Sequence, residues 1–152
     1  TRATPLCDAL AAGEIGLAQS IATRLPGEWN PYLEPAQDSH FMAVIAALLV
    51  GQSAAQQALE VMKEVAGKGP RWEVAQSLTN VDSAAFEEAI SSLIEERRDQ
   101  VEAQRKSARI DPYDDASTAN IYVLGIALVR LARHLGIQTA IEYAMIPDVA
   151  LQ

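Results

Sequence analysis

Residues 82–101 read DSAAFEEAISSLIEERRDQV. Phe86, Ile90, Leu93, Ile94 and Val101 recur mostly at steps of three and four, the spacing that lines one face of an α-helix. A half-buried strand would alternate at every second residue instead. Asp82 has the residue type of an N-cap, and Val81 with Phe86 has the spacing of a hydrophobic staple. Beyond Val101 the chain turns polar (EAQRKSARID), so this end is expected to project past the core or fray.

The same reading extends in both directions. Towards the C-terminus, NIYVLGIALVRLARHLG (120–136) is almost wholly apolar. It predicts a central helix from near Ser117 to Leu135, stopped by Gly136, with Arg130, Arg133 and His134 where positive charge suits the helix dipole. In the tail, Pro147-Asp148-Val149 predicts a last helical turn. Towards the N-terminus, Phe41 to Val50 is apolar on every side, as a buried helix is, with Asp38 or Ser39 as its cap and Gly51 as its stop. Ser53 to Gln56 has the capping-box spacing and opens a helix to about Val65. Arg71 to Leu78 predicts a short helix. Thr4-Pro5 opens one to Ala12, and Ile15 to Leu25 carries another. The expected fold is therefore all-α, a compact array of about seven helices stacked as α-hairpins, without a substantial sheet. No repeat of 30–45 residues holds its register.

Composition agrees. The 152 residues suit one domain, 1–152, and 49% of them are apolar while only 5% are aromatic. The chain begins at Thr1 without methionine, so residues are expected to be missing upstream, and no signal peptide stands in the rest. The longest apolar run has ten residues, against the ~20 of a membrane-spanning helix, so no membrane partner is expected. Cys7 is the single cysteine, which rules out an intrachain disulfide and fits a reducing cytoplasm. The net charge of −8 repels a phosphate backbone and steers a basic protein inward, so direct nucleic-acid binding is disfavoured.

Catalytic patterns do not assemble. Asp38-Ser39-His40 has the residue types of a triad, but consecutive side chains on a helix point apart. His134 stands alone, and Cys7 has no base beside it and reads as a small buried hydrophobe. Glu95 and Asp99 share a helix face without the Glu-x-x-His motif of a di-metal bundle. Gly13 and Gly16 lack the strand, third glycine and lysine of a phosphate loop. Neither a cofactor nor a metal is expected.

Two loops hold the candidate binding residues. In 26–37 (PGEWNPYLEPAQ), three prolines prevent regular helix, and Glu28, Trp29, Tyr32, Glu34 and the following Asp38 join aromatic to acidic character. In 111–115 (DPYDD), Asp111, Tyr113, Asp114 and Asp115 do the same. Aromatic anchors ringed by acid suit a basic protein partner. The competing expectation folds Trp29, Tyr32 and Tyr113 back over the core as lids.

Three stretches resemble the immunity-49 family of bacterial polymorphic-toxin immunity proteins: HFMAVIAALLVG (40–51), FEEAISSLIEERRDQVEAQRK (86–106), and the last apolar helix running through Leu135-Gly136-Ile137 into IEYAMIPDVAL (141–151). Members similarly end in an apolar helix, a Gly-Leu/Ile step, an acidic-Tyr segment and a Pro-containing turn. The likeness spans most of the chain from about residue 38, and more loosely from residue 4. Its motifs are soft apolar patterns with no site motif to transfer, and members are usually longer at the N-terminus. The resemblance implies a cytoplasmic, non-enzymatic protein that neutralises a cognate secreted toxin by occluding its active site or blocking its folding. Such toxins are often nucleases, delivered by contact-dependent or type VI secretion, and a nuclease's basic surface would complement the acidic charge. Two other classes stay open on the residues alone. One is a helical-repeat adaptor or chaperone with a peptide groove. The other is an enzyme of unrecognised type, with His40 or His134 beside a carboxylate in a polar pocket.

Overall fold

Amphipathic helices joined by connections of two to five residues pack against their sequence neighbours, because short links leave antiparallel pairing as the way to bury both apolar stripes. The computed structural model describes residues 4–25, 32, 34–107, 109–116 and 118–152. Among them are α1 (Thr4–Ala11), α2 (Ile15–Ala22), α3 (Ala36–Val50), α4 (Gln52–Ala66), α5 (Pro70–Asn80), α6 (Ser83–Lys106), the short α7 (Pro112–Ala116) and α8 (Val123–His134). Two 3-10 turns, Thr118–Asn120 and Asp148–Leu151, complete the helical set. The β character among the described residues is one bridge, Tyr143 to Ile146.

The all-α expectation holds, with hairpins α1–α2, α3–α4 and α5–α6 following one another. Helix α8 then returns to pack along α1 and touch α6, which closes the array. Phe41, Met62, Leu78, Phe86, Ile90 and Leu128 are fully buried in one core. Between α1 and α2, Gly13 turns the chain at φ +79°, and the Arg130 guanidinium fills the space a Cβ would need there. In α8, a Cβ on Gly125 would stand 2.7 Å from the Tyr122 ring and 2.9 Å from Ile146. That glycine lets the tail lie close against the helix.

Several boundaries differ from the sequence reading. Helix α3 starts at Ala36, so Asp38 and Ser39 lie inside it; Pro35 precedes it at φ −59°, ψ 145°, and no side chain caps it. Helix α4 begins at Gln52 after Gly51, without a side-chain cap, so the capping box at Ser53 does not form. Residues 111–115, expected as loop, enter α7, because Asp111 Oδ1 accepts the Tyr113 N–H at 2.8 Å and caps it. Helix α8 starts at Val123, not near Ser117, because the Tyr122 N–H donates to the Met145 carbonyl at 2.8 Å instead of to a helical turn. Asp82 does cap α6, accepting from the Ala85 N–H at 3.0 Å. Helix α6 runs on past buried Val101 with residues 102–107 exposed, and the Pro147 turn forms as expected.

Candidate partner-binding face

The start of α3, the start of α5 and the second half of α6 meet at Arg71. Its Nε lies 3.1 Å from Asp38 Oδ1 and its Nη1 lies 3.2 Å from Glu96 Oε1. The Gln100 side-chain amide donates to the same Glu96 oxygen at 3.0 Å. Arg71 is 22% exposed, so this three-membered bridge is better shielded than a surface pair and holds three helices in register.

Each side of Arg71 opens a depression. One, of 380 Å³, has an apolar floor of Cys7, Phe41, Met42, Val123 and Leu124. Asp8, Glu34 and Asp38 supply its carboxylates. The other, of 330 Å³, lies between Arg97 and Gln100 of α6 and the segment Ile121–Leu124, where Ile121 and Val123 are partly exposed. Tyr122 is buried at this junction. Its phenol is pushed up to about 12 by burial first, with Arg71 lowering it and Glu96 raising it. Burial, assisted by Asp8, pushes the Cys7 thiol up to about 11, so it stays protonated near neutrality and is a poor nucleophile. Its place is a half-buried wall of the cavity, not the closed core that its sequence suggested.

The second acidic segment is tied to the same face through α6. Arg97, Val101 and Arg105 form one i, i+4, i+8 stripe, in which Arg105 lies two turns, about 12 Å, beyond Arg97. Arg105 pairs with Asp115 and donates to Asn120 Oδ1 at 2.9 Å, while the Asn120 amide donates to the Asp115 carbonyl at 2.8 Å. Residues 120–122 thus run back along the stripe towards Arg71.

The expected site residues therefore fall into three groups. Glu34 and Asp38 meet at the cavity, and Asp111, Tyr113, Asp114 and Asp115 stand on and around α7. Tyr32 is 95% and Tyr113 77% exposed, so neither lies as a lid over the core. Glu28 and Trp29 lie outside the described residues. Arg71, Tyr122 and Leu124 had no local signal in the sequence, since they reach the face only by long-range packing. His40 lies within α3, half-buried, and His134 ends α8, exposed. Among the described residues no cluster of three or more His, Cys, Asp or Glu could hold a metal ion, and no helix is long and apolar enough to cross a membrane.

A family model described as Immunity protein 49 matches residues 1–150. The chain belongs to that family. No curated protein and no solved structure matched it. The family match runs from residue 1 into the last 3-10 turn, so it covers both the stretch from residue 38, where the likeness is strong, and the N-terminal hairpin from residue 4, where it is looser.

Proposed function

We propose that this protein binds a cognate secreted bacterial toxin in the cytoplasm of the cell that makes it and neutralises the toxin by occlusion, without catalysis of its own. The observation that carries the reading is the Immunity protein 49 match over 1–150, which implies an immunity protein of a toxin system. Charge supports a basic toxin surface, such as that of a nuclease: the chain carries −8, and Asp38, Glu34, Asp111, Asp114 and Asp115 concentrate acid beside Tyr32 and Tyr113. Glu28 and Trp29 join the proposed binding residues on their residue types alone. Acidic residues there would speed encounter, and the aromatic residues would slow release.

The test is co-expression with the toxin encoded beside this protein. Cells should survive the toxin with this chain and die without it. Equal killing in both cultures sinks the reading.

A further inference from the structure

After α8 the chain passes the start of α6. The Gln138 N–H donates to Ser83 Oγ at 3.1 Å, and the Ala140 N–H donates to Glu87 Oε1 at 2.9 Å. Ser83 and Glu87 stand one turn apart on α6, a rise of about 6 Å. Two residues of extended chain advance about 6.6 Å. The match holds residues 138–140 extended along α6, with the N–H groups of Gln138 and Ala140 turned inward. The Ala140 carbonyl also has a partner within the fold, Arg133. In an extended chain the intervening backbone groups face the other way. Among the described residues, no hydrogen bond satisfies the N–H of Thr139 or of Ile141.

These outward groups border open space. A depression of 770 Å³ lies between residues 138–141 and the last turn, where Asp148 and Leu151 form its other side. That is within the roughly 300–1,000 Å³ of sites that enclose a ligand. Ile141 is 84% and Val149 74% exposed, so aliphatic contact is available as well. Free donors at every second residue are what the edge of a sheet presents, and a second extended chain satisfies them. Exposed Glu142 and Asp148 carry carboxylates that no ion pair neutralises among the described residues, so basic side chains suit the incoming chain.

We infer that residues 138–141 are a docking edge to which an extended segment of the partner toxin, alternating aliphatic and basic residues, adds as a strand through the Thr139 and Ile141 backbone. The inference rests on the proposed reading of the chain as an immunity protein, but its test needs no toxin.

The peptide acetyl-Lys-Val-Lys-Val-Lys-amide is titrated into the whole protein and followed by the backbone amide signals. The Thr139 and Ile141 amides should shift saturably and exchange more slowly with solvent, while Gln138 and Ala140, already bonded, should change little. The same peptide methylated on its backbone nitrogens should not bind. Ile141→Pro deletes an N–H that holds nothing in the fold, so it should keep the denaturant midpoint and weaken the peptide about fivefold or more. Ile141→Ala keeps the N–H and should weaken it less. If the proline variant does not fold, the methylated peptide decides alone. Equal binding by the methylated peptide, unchanged affinity in a folded Ile141→Pro, or equal shifts at the exposed Val61 of α4 would each overturn the assignment. Peptide binding in a protein that fails to protect cells would overturn the immunity reading alone; protection without peptide binding would overturn the docking edge alone.

Discussion

The C-terminal tail and the acidic face both depend on arginines, yet they use them in opposite ways. In the tail, Arg133 donates to the Leu151 carbonyl at 2.5 Å, to Thr139 Oγ1 at 2.8 Å and to the Ala140 carbonyl at 3.3 Å. Arg130 donates to the Ala150 carbonyl at 2.9 Å. Glu87 of α6 accepts from both the Ala140 N–H and the Tyr143 hydroxyl. The arginines there satisfy backbone carbonyls that no helix or sheet would otherwise pair. On the acidic face, Arg71 and Arg105 meet carboxylates, and carboxylates remain in surplus around them. Arginine against backbone closes a fold; arginine against excess acid shapes a charged surface and leaves its sign negative. Substitutions should therefore separate stability from binding.

The largest effect on stability is expected in the tail. Arg133→Ala removes three hydrogen bonds at once and should lower unfolding stability by about 2–3 kcal/mol, read from the denaturant midpoint. The contrast breaks if that variant keeps its midpoint but loses toxin protection.

Next is pH. The buried Tyr122 phenol is pushed up to about 12 in the folded chain, against about 10 when unfolded. A raised phenol favours its neutral form on folding, so its contribution is fully present below pH 10 and is lost as pH rises towards 12. The loss is of order 2 kcal/mol. Stability measured from pH 9 to 12 should fall less steeply in Tyr122→Phe than in the parent; identical slopes would remove Tyr122 as the cause. The Tyr143 phenol is raised as well, by burial and then by Glu87, so the tail should contribute a decline of the same sign.

Gly125→Ala comes third. Alanine is the better helix former by about 1 kcal/mol, but its Cβ would sit 2.7 Å from the Tyr122 ring, which cannot swing away as a chain end could. Overpacking should win, for a net loss of about 1 kcal/mol seen as a lower Tm. A rise in Tm would mean that the tail is looser against α8 than the contact implies.

These effects mark where the sequence was legible. The stripe Phe86, Ile90, Leu93, Ile94 announced α6 because helical period is a local property, and those four side chains are indeed buried. The start of α8 was misplaced by six residues because its decisive hydrogen bond comes from Met145, far along the chain. The acid-rich start of α3 was readable as composition. Its grouping with Arg71, Glu96, Cys7 and Leu124 was not, since those residues come from four separate segments and meet only once α8 has returned against α1. Tyr143 was readable as part of a family-like ending, but not as the partner of Glu87, 56 residues away.

The smallest effect on stability is expected on the acidic face, and there the contrast becomes sharpest. Tyr113 is mostly exposed and Asp114 is exposed beside it. Tyr113→Ala and Asp114→Asn should each change unfolding stability by no more than about 0.5 kcal/mol, as surface substitutions usually do. Their expected cost lies in binding, and it differs in kind. Losing the ring removes contact area that holds the complex, so Tyr113→Ala should mainly speed toxin dissociation. Losing the charge weakens long-range attraction, so Asp114→Asn should mainly slow association and flatten its dependence on salt. Kinetic traces at low and at physiological ionic strength distinguish the two. If both variants bind like the parent, α7 stands outside the interface, and the partner is to be sought at the other proposed residues, Tyr32, Glu34 and Asp38 first.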